Sequence, residues 1–74
     1  MRGNSEEYEI QVYLHGESDI ALLVGEDQTS LSKKTWLPKS QVEEINRKRG
    51  GARDLVTLLV PAWLLTKKEL DHLV

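Results

Sequence analysis

The two prolines and two tryptophans of this 74-residue chain fall together, in Trp36-Leu37-Pro38-Lys39-Ser40-Gln41 and in Pro61-Ala62-Trp63-Leu64-Leu65, each directly after a strand-like run. Proline removes a ladder donor and stops a strand, and tryptophan is a large packing unit with one donor to satisfy. Each cluster therefore marks where a strand ends against the core. The order of the pair is reversed between the two clusters, so the echo does not indicate duplication.

The runs between these marks can be read in turn. Tyr8, Ile10, Val12 and Leu14 alternate with Glu7, Glu9, Gln11, Tyr13 and His15, the period-two pattern of a strand with one buried face. Gly16-Glu17-Ser18-Asp19 supplies turn residues, and Ile20–Val24 follows as a second strand, apolar on both faces. After a loop at 25–30, Ser32–Leu37 reads as a third strand, with Lys33, Thr35 and Leu37 on one face and Ser32, Lys34 and Trp36 on the other. Ser40 and Glu43 fit a capping box, with Val42 and Ile45 three apart, which predicts a short helix to about Lys48; an irregular strand is the rival reading. Gly50-Gly51 breaks that segment, and Leu55–Val60 is the fourth strand. Pro61 suits the first turn of a helix, and Trp63, Lys67, Leu70 and Val74 lie at helical spacings, with Thr66 and Glu69 as a second capping box. The chain thus ends in one helix or two short ones. The expected fold is mainly β with some α: a single small domain with a bent four-stranded antiparallel sheet or an SH3-like barrel, closed by a C-terminal helix. Residues 1–6 are expected to be flexible and 46–53 to form a basic loop.

A chain this short buries only about 60% of the surface its unfolded form exposes, which disfavours a deep catalytic cleft. It has no cysteine, so disulfides, thiolate zinc sites and cysteine nucleophiles are excluded. It has no long apolar stretch and no signal peptide at its start, and reads as soluble and cytoplasmic. His15 and His72 are not at metal-ligand spacing, the serines and threonines read as turn and cap residues, and the glycines form no phosphate-binding pattern. No enzyme activity, metal or cofactor is expected.

Charge is unevenly placed along the chain. Through Leu37, seven acids face three bases, net −4, and the remainder carries seven bases and five acids, net +2, giving the overall −2. The compact segment Arg47-Lys48-Arg49-Gly50-Gly51-Ala52-Arg53 could track a phosphate backbone, with Trp36 as a stacker beside Lys34 and Lys39. The bland alternative is a solubilising hairpin tip. Trp36, Trp63, Lys39, Arg47, Lys48, Arg49 and Arg53 are equally the natural anchors of a protein-docking surface, if the tryptophans are not core. The apolar density of Leu58-Leu59-Val60 and Ala62-Trp63-Leu64-Leu65 is compatible with a second copy covering part of it, as in a homodimer.

The Trp-Leu-Pro-Lys-Ser-Gln run at 36–41 with Val-Pro-Ala-Trp-Leu at 60–64 resembles small uncharacterised proteins of bacteriophages and bacterial mobile elements, over roughly residues 18–70. That resemblance implies an origin and assigns no functional residue. The expectation is a non-enzymatic binding module, an accessory protein of a phage or mobile element that engages a host or phage protein. The alternative is a nucleic-acid-binding small barrel using the basic segment.

Overall fold

The computed structural model describes residues 6–29, 31 and 33–73. Five strands, β1 (Glu7–Glu17), β2 (Ala21–Gly25), β3 (Lys34–Pro38), β4 (Glu43–Gly50) and β5 (Arg53–Pro61), form one antiparallel sheet in the order β3-β2-β1-β5-β4. The chain then enters a short helix α1 (Ala62–Lys67) and a final 3-10 turn at Asp71–Leu73. The helix expected over 40–48 is instead β4, preceded by a 3-10 turn at Lys39–Gln41 that carries no side-chain cap. Long-range pairing decides this point: β4 lies alongside the apolar β5 from Glu43↔Leu59 to Gly50↔Arg53, and that ladder outweighs a local capping signal. The strand count accordingly rises from four to five.

Strand β1 belongs to both halves of the sheet. Its first part, Glu7–Tyr13, pairs with β5, and its last part, Tyr13–Glu17, pairs with β2. The expected turn at Gly16-Glu17 is therefore the end of this strand; a bulge at His15 re-aims it, and the reversal falls at 18–20. There the Ser18 hydroxyl accepts the backbone N–H groups of Ile20 and Ala21.

The sheet cannot be flat. Pro38 sits opposite Ala21 at the level of Ser18, while Glu43 sits two strands beyond Glu9 on the other side. On a flat sheet these points would lie about 19 Å apart across the strands and about 30 Å along them. The four residues that join them reach about 18 Å at full stretch. The sheet must therefore roll until its two edges approach.

Rolling makes the core. Ile10 and Val12 of β1, Leu22 and Val24 of β2, Leu37 of β3 and Val56, Leu58 and Val60 of β5 all point inward, each at most 3% exposed. Val42, in the link between the edges, packs on the same cluster. The other end is closed by Leu64, Leu65 and Leu70. The apolar run that the sequence reading offered to a second copy is thus largely covered by its own chain.

The closing segment depends on one unusual backbone position. Glu69 has φ 60°. With it in that conformation, the Leu70 N–H reaches the Leu65 carbonyl at 2.7 Å and the Glu69 N–H reaches that of Thr66 at 3.1 Å, the two bonds of a Schellman motif. Glu69 thus ends α1 and turns Leu70 into the core, rather than capping a second helix from Thr66. Val74 lies outside the described residues, as do residues 1–5 of the expected flexible start. Glu6 is fixed: its carbonyl accepts the Ala62 N–H at 2.7 Å and its carboxylate the Tyr8 hydroxyl at 2.8 Å.

The β4–β5 connection is a two-residue turn, Gly51-Ala52, in which Gly51 has φ +84° and a Cβ would stand 3.0 Å from the Gln28 side-chain oxygen. Gly51→Ala lowers stability by about 1–2 kcal/mol, because a Cβ disfavours that region and here displaces Gln28. Glu69→Gly raises it by about 0.5–1 kcal/mol by relieving the same penalty. Leu58→Ala, which empties the centre of the core, costs about 2–5 kcal/mol. Urea denaturation of the three variants against the parent measures all of them.

Candidate functional site

The seven candidate residues do not converge on one point. The basic stretch expected as a loop is the β4–β5 hairpin, and its cations have different surroundings. Arg47 points to the inner face opposite Val56 and grips Glu44 with two bonds, at 3.0 Å from Nε and 2.9 Å from Nη2, while Nη2 also reaches Glu17 at 3.5 Å. Arg53 is clipped to the β2–β3 loop: its N–H donates to the Gln28 side-chain oxygen and its Nε to the Gln28 carbonyl, both at 3.0 Å. Lys48 and Arg49 are exposed successive residues on opposite faces of β4. A phosphate backbone approaching from one side would meet one of these last two at a time.

Lys39 belongs to a second ionic group. Its ammonium lies 2.8 Å from Glu17, and Glu17 in turn meets Arg47. Lys39 stands in the link, Glu17 at the end of β1, and Arg47 and Glu44 on β4, so this chain of alternating charges fastens the seam where the rolled sheet closes. A shallow groove of about 230 Å³ lies over it, lined by Glu17, Leu22, Lys39, Val42 and Glu44. The hydrogen bond from Lys39 is the main influence holding the Glu17 carboxyl below its ordinary pKa.

The tryptophans are half out of the core rather than in it. Trp36 is 46% exposed and Trp63 50%, whereas their neighbours Leu37 and Leu64 are buried. Each Trp-Pro cluster does sit where a strand ends, but it is the leucine beside the tryptophan that anchors to the core. Trp36 lies on the outer face of the edge strand β3, opposite Leu23 of β2, which lies opposite Gly16 of β1. A Cβ on Gly16 would stand 3.6 Å from the Leu23 side chain, an ordinary van der Waals contact, so Leu23 packs close against β1 at this position. The result is a low apolar strip, Trp36 to Leu23, running in from the free edge of the sheet. Sequence reading missed Leu23 and Gly16 because a strand that is apolar on both faces does not say which residue faces outward.

The two histidines act as clips. The His15 Nε2 donates to the Asp27 carbonyl at 2.8 Å, and His72 Nε2 meets Glu26 at 2.6 Å, tying the β2–β3 loop to β1 and to the chain's last turn. Among the described residues no group of acids and histidines is arranged to hold a metal ion, and no helix is long and apolar enough to cross a membrane.

The seam has a pH signature. Because the folded pKa of Glu17 lies below its unfolded one, the ionised carboxylate favours folding: its contribution is complete above the unfolded value and fades as pH falls through the folded value. Glu17→Gln should therefore lower Tm at neutral pH, and the gap from the parent should close in acid, as thermal melts across a pH series would record. Comparison with protein-family models, with curated proteins and with solved structures finds no match to this chain.

Proposed function

We propose that this protein is a non-enzymatic binding module that docks a protein partner on the strip formed by Trp36 and Leu23 at the β3 edge. The observation that carries this reading is the half-exposed indole of Trp36 on β3, the last strand at one end of the sheet, lying opposite Leu23 of β2. An aromatic anchor beside an open strand edge offers a partner both apolar contact and main-chain hydrogen bonds. Alternation along β3 puts Trp36 outside because Leu37, next to it, fills the inward position, and the outer face presents a large aromatic ring where a polar residue would serve the fold equally well.

The rolled sheet, with one strand shared between its halves and a 3-10 turn linking its edges, supports assigning an SH3-like small barrel. Such barrels host many functions, so the assignment adds a scaffold and not an activity. The likeness of residues 36–41 and 60–64 to phage and mobile-element proteins supports an accessory role in such an element, acting on a host or phage protein. Nucleic-acid binding is the weaker reading, because Arg47 and Arg53 are engaged within the chain.

Trp36→Ala should leave the fold intact, changing stability by no more than about 1 kcal/mol for a half-exposed side chain, and abolish partner capture. The measurement is affinity capture from a bacterial lysate with parent and variant at low and high salt. A protein retained by the parent in both salts and lost with Trp36→Ala supports the reading. Identical capture by both forms overturns it, as does salt-labile oligonucleotide binding lost on neutralising Lys48 and Arg49.

A further inference from the structure

Strand β4 is the longer free edge of the sheet, eight residues against five in β3, and all of it is exposed except the half-buried Gly50. Its sequence is Glu-Glu-Ile-Asn-Arg-Lys-Arg-Gly, acids at one end and bases at the other. An edge bearing one sign of charge repels its own copies, which is a common protection of free strands. An edge whose sign reverses along its length attracts a copy laid antiparallel to it.

We infer that β4 pairs with β4 of a second copy about a two-fold axis between Ile45 and Asn46. In this register Glu43 stands opposite Lys48 of the second copy, a pair that occurs twice and carries the charge complementarity, and Ile45 stands opposite Asn46; Glu44 falls opposite Arg47, two residues already joined to each other within each copy. The faces agree as well. Glu43 and Lys48 pair with Leu59 and Leu55 on the outer side of the sheet, and Glu44 and Arg47 with Leu58 and Val56 on the inner side. The irregularity between Glu44 and Asn46 does not spoil this match, because the axis sets each bulge against its twin. Pairing confined to 46–50 is disfavoured, since its face-matched registers set Arg47 against Arg47 or Lys48 against Lys48. Ile45, 48% exposed in the single chain, gains cover at the centre of the contact. A two-fold pairing of this kind consumes the β4 edge of both copies and closes, so it yields a dimer and not a fibre.

This surface is separate from the Trp36 strip, so the two proposals can fail independently. The test is sedimentation equilibrium over a concentration series, on the parent, Glu43→Lys, Lys48→Glu and the double variant. The parent's average mass should rise with concentration from 8.4 kDa towards twice that value. Each single reversal should weaken association about tenfold, because two symmetry-related pairs change from attraction to repulsion. The double variant, which exchanges the two charges, should return to within about threefold of the parent. Trp36→Ala should associate like the parent. A parent that stays monomeric at every concentration overturns the proposal, and so does a double variant no better than either single reversal. Both residues are exposed and on the surface of a strand, and circular dichroism of each variant verifies that the fold is kept.

Discussion

The rest of the structure depends on a short link. Four residues, Lys39–Val42, join strands at opposite edges of a five-stranded sheet, and no flat arrangement allows so short a span. The sheet has to roll, and rolling turns a surface with one apolar face into an enclosed core. The Trp-Leu-Pro-Lys-Ser-Gln motif is the residue-level form of this constraint. Leu37 enters the core, Pro38 stops the strand, Lys39 reaches back to Glu17, and Val42 packs on the cluster from the other side. The ion pairs of the seam are partly exposed and fix geometry more than they add stability; the burial of Leu37 and its neighbours supplies most of the driving force.

A core built this way leaves one end open, and the second Trp-Pro motif closes it. Pro61 ends β5, Leu64 and Leu65 turn inward, and the left-handed Glu69 directs Leu70 over the remaining gap. Both motifs therefore mark exits from strands at the two places where a rolled sheet needs sealing. Their tryptophans are not required for that sealing, because nearly every inward position is taken by Leu, Val or Ile, and both rings stay half in water.

Charge follows the same division. Cations that look alike in sequence do different work: Lys39 and Arg47 hold the seam, Arg53 holds a loop, and Lys48 and Arg49 face water. The compact basic run is spread along a twisted strand with alternating faces, so nearness in sequence does not become nearness on one surface. The same strand gains a different property from its linear order, since acids followed by bases make its edge complementary to itself.

The sequence by itself determined the β character, four of the five strands to within a few residues, the stops at Pro38 and Pro61, and an apolar core of Leu, Val and Ile. These follow from local rules, chiefly period-two alternation and the missing donor of proline, which act whatever the rest of the chain does. Only the tertiary structure decided that 43–50 is a strand, because its pairing with β5 competes with a capping signal that reads equally well by itself. It also decided which residue of an apolar run faces outward, as Leu23 does, and that both tryptophans stay half in water. Those outcomes depend on how far the sheet must roll to satisfy one short link, a distance that no local pattern records.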